Sequence, residues 1–181
     1  FKGHIFNPII MEITVSEAKY AKYLENTIGM RDLEMFLCTE KEDVAKLVKI
    51  FRTDMRLKVN VGFIEDSDQL QFEPQRDIAD FPRNQGVYAY LIQMIEGPIP
   101  VLNYLCKLYR LHNVVVGDDR IENHASQLPP DIRVFFSTDS RFNVVISRYT
   151  GKKSVTSNKI YPRKLLDVGI DTEALEREQE T

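Results

Sequence analysis

Apolar residues recur at three- and four-residue steps through Ala18, Ala21, Leu24 and Ile28, which predicts a helix capped by Ser16 and stopped by Gly29. The short apolar run LEMFLCT (33–39) reads as a strand. Thr39 and Glu42 have the spacing of a capping box, and Val44, Leu47, Val48 and Phe51 then make one buried face of a second helix. LKVNVGF (57–63) alternates with period two, as a half-buried strand does. Residues 64–85 are polar and broken by Pro and Gly, so they read as a connector outside any core.

VYAYLIQMI (87–95) predicts a buried helix ending before Gly97, Pro98 and Pro100. The first half's order then returns after roughly 80 residues. VLNYLCKLYR (101–110) is a helix and NVVVG (113–117) a strand; Asp119 and Glu122 open a short helix ended by Pro129 and Pro130. IRVFFST (132–138) is the next strand, and a D-S-R turn leads into FNVVISRY (142–149). The expected fold class is α/β (α+β): two pseudo-repeated α/β subdomains, about 1–70 and 86–170, whose late strands form exposed sheet edges. The charged segment DTEALEREQET (171–181) has too few apolar residues to pack on such a domain, and it reads as the start of an outgoing coiled-coil helix.

The apolar content of 43% and charged content of 28% are those of an ordinary globular domain. No apolar run is long enough to cross a membrane, and neither a signal nor a transit peptide opens the chain. The first residue is Phe rather than Met, which suggests a piece of a longer protein. Cys38 and Cys106 lie inside apolar patterns and are expected to be reduced core residues. His4, His112 and His124 stand at no metal-ligand spacing, so neither metal nor other cofactor is expected.

Phosphate-cradling glycine motifs are absent. VVVGDDR occupies the right place for an anion site, between strand and helix, but its two aspartates would repel a phosphate, and capping explains them. Thr138, Asp139 and Ser140 are explained by turn chemistry without a nucleophile. The sequence makes no case for an enzyme.

Charge changes the picture in one place. The net charge is −3, yet residues 141–164 hold Arg141, Arg148, Lys152, Lys153, Lys159, Arg163 and Lys164 with no Asp or Glu. Subtracting that +7 from −3 leaves −10 for the rest of the chain. One reading is a solvated edge hairpin whose lysines block unwanted strand pairing. The other is a nucleic-acid surface, on which the cations neutralise phosphates while Tyr149 and Tyr161 stack on unpaired bases.

The segments AKYLENTIGMRDLEMFLCTEKEDVAKLVKIF, LKVNVGF, PVLNYLCKLYRLHNVVVGDD and VTSNK together resemble the hinge domain of the structural maintenance of chromosomes (SMC) family, most like its fifth eukaryotic paralogue. The resemblance runs from about Phe1 to Leu166. It implies an SMC hinge over 1–170, set between cut coiled-coil ends, that heterodimerises with the hinge of the sixth paralogue through edge strands. It further implies a complex of the nucleus and chromosome acting in DNA repair and recombination, a hinge that binds single-stranded DNA, contacts with other subunits, and ATPase heads elsewhere in the full-length protein. Paired glycines are usual after the last strand of each half of such hinges. Here Gly62 stands alone and Gly151 precedes Lys152 and Lys153, so one or both interfaces are expected to be altered. The expected dimer interface is Val59, Val61, Gly62 and Phe63 with Val144, Ile146 and Gly151. The expected DNA surface is Arg141, Arg148, Tyr149, Lys152, Lys153, Lys159, Tyr161, Arg163 and Lys164. The rival is a hinge that binds only protein, its basic hairpin meeting an acidic face of another subunit.

Overall fold

The structure, a computed structural model, describes residues 1–166; the expected coiled-coil start at 171–181 lies outside them. Three sheets share one apolar core. The first has the order β1 (Ile5–Phe6), β3 (Phe36–Cys38), β4 (Val61–Phe63), with β3 and β4 parallel. The smallest pairs β2 (Thr14–Val15) with β6 (Ile95–Glu96) and so ties the beginning of the chain to its middle. The largest runs β10 (Lys153–Lys159), β9 (Ser140–Ile146), β8 (Val134–Phe136), β7 (Val115–Gly117), β5 (Val87–Tyr90). Its β7 and β8 are parallel and the remaining pairs antiparallel.

Five short helices complete the described chain: α1 (Ile9–Glu12), α2 (Ala21–Glu25), α3 (Met30–Leu33), α4 (Lys41–Lys49) and α5 (Ile99–Tyr109). A parallel strand pair needs a crossover, and helical turns supply it twice. α4, extended by a π-turn to Asp54, joins β3 to β4; a 3-10 run over Asp119–Gln127 joins β7 to β8. The return of the strand–helix–strand order is thus a real feature of the architecture. The core under all three sheets holds Ile9, Leu24, Leu37, Tyr90, Phe135 and Phe136, each fully enclosed.

Several local expectations fail for identifiable reasons. The helix expected from Ser16 to Ile28 is a 3-10 turn followed by α2, and Gly29 precedes α3 instead of ending a helix. Leu33 lies in α3, and β3 starts only at Phe36. No capping box forms at α4, because the Thr39 hydroxyl instead accepts the His4 N–H at 2.9 Å across the β1–β3 pair. The expected strand at 57–63 is reduced to β4. VYAYLIQMI is not a helix: Val87–Tyr90 pair with β7, and a 3-10 turn leads into β6. A run apolar on every side serves a doubly covered strand as well as a buried helix. The cap before Ile121 is Asp118, which accepts the Arg120 N–H at 2.9 Å, not Asp119.

The connector also belongs to the core. Ile64 and Phe81 are buried, and Leu70, Phe72 and Ile78 pack against the cluster. Buried Asn103 on α5 accepts the Gln71 N–H at 2.8 Å and donates to the Gln69 carbonyl at 3.0 Å, while Arg76 grips Asp131 with two nitrogens at 2.9 and 2.8 Å. Polar residues between the apolar ones hide this role from periodicity, since their partners are far away in sequence.

Candidate interaction surfaces

Among the strands that end a sheet, β4 and β10 carry the residues singled out from the sequence, and their chemistry differs. β4 carries the expected interface residues Val61, Gly62 and Phe63, with Val59 in the coil just before it. A Cβ on Gly62 would stand 2.6 Å from the Met35 Cε, so any larger residue there must push the flexible end of Met35 aside. Phe63 is 40% exposed with the Lys41 ammonium 5.3 Å from its ring centre, a cation–π contact. Beside it opens a recess of about 290 Å³ walled by Phe63, Phe72, Pro100, Tyr104 and Leu108.

β10 is longer, and all seven of its residues are exposed. Its position alters the expectation for β9, which is paired on both sides and offers no free edge. Val144 on β9 points into the core and Ile146 is half-buried. Gly151 sits in the hairpin turn at φ +67°, a conformation glycine adopts without strain.

The basic residues divide as well. Arg148 and Lys152 flank the turn with Tyr149, which is 98% exposed. Lys159, Tyr161, Arg163 and Lys164 are exposed at the foot of β10. Lys153 is not free: its ammonium donates to the carbonyl oxygens of Leu128 at 3.0 Å and Ser126 at 3.4 Å, at the end of the 3-10 run where carbonyls are left open. Arg141 is half-buried, its Nε meets no acceptor in the described structure, and burial pushes its guanidinium below the ordinary value.

Sequence reading missed Lys19 and Lys22, which line a recess with Pro162 and Lys164. Their three-residue spacing puts both on one helical face, but nothing in the sequence brings that face to residue 164. Lys22 is partly engaged, 3.3 Å from Asp139. Asp118 is bound by Arg120, which holds its carboxyl below the usual range and leaves the VVVGDDR turn self-satisfied. Cys38 and Cys106 are free and buried, with burial pushing the Cys106 thiol up to about 11. Among the described residues no three His, Cys, Asp or Glu side chains gather as around a metal, and no helix is long and apolar enough to cross a membrane.

Comparison with solved structures places this architecture. The hinge domain of Schizosaccharomyces pombe Smc5/6 aligns with a TM-score of 0.79 at 18% identity, over 99% of this chain and 69% of that one. An asymmetric dimer of the SMC hinge domain from Geobacillus stearothermophilus aligns at 0.55 and 16% identity, over 97% of this chain and 67% of that one. The chain therefore has the α+β fold of SMC hinge domains.

Its sequence narrows the class. Structural maintenance of chromosomes protein 5 of Arabidopsis thaliana is 26% identical over 179 residues, 98% of this chain and 16% of that protein. Its counterpart in Caenorhabditis elegans is 28% identical over 160 residues, 82% of this chain and 14% of that protein. The chain is thus similar in sequence to SMC5 proteins and in fold to SMC hinge domains, and it spans about one sixth of the length of the curated relatives it matches. No family model matches the chain.

Proposed function

We propose that the chain is the hinge heterodimerisation module of an SMC complex, joining the hinge of the sixth paralogue and serving DNA repair and chromosome maintenance on nuclear chromosomes. It has a secondary single-stranded DNA surface on the β9–β10 hairpin and catalyses nothing itself. The observation that carries this reading is the contrast between two of the sheet edges, β4 and β10. β4 offers an apolar strand beside an apolar recess, suited to strand addition with a side chain inserted alongside. The hairpin offers Arg148, Tyr149, Lys152, Lys159, Tyr161, Arg163 and Lys164 without one acidic neighbour in sequence. The division of labour is partner on β4, nucleic acid on the hairpin and its foot, and a hinge domain spanning about 1–170.

The engagement of Lys153 and the half-burial of Arg141 favour a second reading, a hinge that binds only protein, because they leave five of the seven cations free. Light scattering of an equimolar mixture with the sister hinge tests the first claim, and a single mass equal to the sum is expected at micromolar concentration. Two separate monomer masses would refute it. Anisotropy of a labelled single-stranded oligonucleotide with the paired hinge separates the two readings: salt-sensitive binding supports the DNA surface, and its absence leaves the protein-only hinge.

A further inference from the structure

Among the described residues two acidic side chains are buried, and both are turned toward an end of the described chain. Glu25, 2% exposed at the end of α2, receives the segment that follows β10. Its Oε2 accepts the Arg163 N–H at 2.7 Å, and its Oε1 accepts those of Leu165 at 3.1 Å and Leu166 at 3.3 Å. Asp43, in the first turn of α4, does the same for the beginning of the chain: Oδ1 accepts the Lys2 N–H at 2.9 Å and Oδ2 the Gly3 N–H at 2.7 Å.

Among the described residues the hydrogen bonds of both carboxylates go to these end segments and none to the β4 edge or the hairpin turn. An apolar residue would occupy either position without loss of hydration, whereas a buried carboxylate is tolerated only when charged hydrogen bonds replace its water. At both sites the replacement is main-chain N–H from an end segment. Lys164 adopts φ +56°, in the left-handed region, and the turn it makes aims neighbouring N–H groups at one carboxylate. Asn26 supports the same end, donating to the Tyr161 carbonyl at 3.0 Å. At the other end the backbone N–H of Lys2, with that of Gly3, holds the Asp43 carboxyl below its ordinary value.

We infer that Glu25 and Asp43 are paired anchors, buried carboxylates that gather the backbone N–H groups of residues 163–166 and of Lys2 and Gly3 and fix the directions of those two segments on α2 and α4. Bending or tension applied to either segment then acts directly on α2 or α4. By holding residues 163–166, Glu25 also keeps Lys164 beside Lys19 and Lys22. Anchoring itself does not depend on DNA binding or on dimerisation.

Amide hydrogen exchange followed by NMR on the 181-residue chain tests it. The amides of Arg163, Leu165 and Leu166 are expected to be protected in the unaltered protein although Arg163 and its neighbour Lys164 are exposed. Glu25→Gln should speed their exchange about ten- to a hundredfold while Lys2, Gly3 and the β7–β8 amides stay unchanged. Asp43→Asn should speed Lys2 and Gly3 alone. Unprotected end amides in the unaltered chain would overturn the inference, as would equal acceleration of every amide in the variants, which marks a general loss of stability. Should Glu25→Gln not fold, protection in the unaltered chain and the Asp43→Asn result decide the matter.

Discussion

The two parallel strand–helix–strand units begin alike and are finished differently. In the first, β3–α4–β4, the second strand is also the last, so β4 keeps an open side with Phe63 exposed. In the second, β7–β8 is continued by β9 and β10, and Phe135 disappears completely beneath a stacked Phe142 at 4.8 Å. The added hairpin moves that edge two strands outward, onto residues that are polar or basic except for Val155. One unit leaves an apolar edge uncovered, while the other is closed into the framework and ends on a largely hydrophilic rim.

If that contrast is right, the same truncation should cost unequal amounts in the two units. Phe135→Ala should destabilise the chain by about 3–5 kcal/mol. Phe36→Ala on β3, half-buried against Phe51 at 4.9 Å, should cost about half as much. Urea unfolding followed by circular dichroism reads both, and equal costs would mean that the first unit is as much framework as the second. The edges give the next largest effect. Phe63→Asp should weaken association with the sister hinge about a hundredfold, the scale of a central interface residue. Val155→Asp on β10, also 40% exposed, should change it less than about threefold. Titration calorimetry distinguishes them, and equal losses would show that both edges serve the partner.

The outline of this division was legible in the chain. Period-two alternation marked β4 and its valines, the seven cations of residues 141–164 marked the hairpin, and the recurring order of elements marked both units. Illegible features were those decided by distant partners. VYAYLIQMI became a strand because β7 needed a neighbour, and the connector joined the core through Asn103 and Asp131. Val144 was read as an edge residue because nothing local announced that β10 would cover β9. The acid-free run hid its own heterogeneity for the same reason: Lys152 and Lys153 are adjacent in sequence, and only the fold sends one to solvent and the other to the carbonyls of Ser126 and Leu128.

That adjacent pair gives the smallest and most selective test. Lys152→Glu leaves every described contact of the fold intact and should lower single-stranded DNA affinity. It should also reduce the log-log salt slope by about 0.7, the share of one phosphate contact. Lys153→Glu removes a cation from the end of a helical turn and places an anion there, so it should cost about 0.3–1 kcal/mol of stability. Its effect on the salt slope should be smaller, because the native ammonium is already spent on two carbonyls. A double variant would merge these effects and could not separate binding from folding. If Lys153→Glu changes the slope as much as Lys152→Glu at unchanged stability, the contact with Leu128 is too weak to hold the side chain in solution. The hydrophilic rim would then be one uniform basic surface, as the sequence pattern alone suggested.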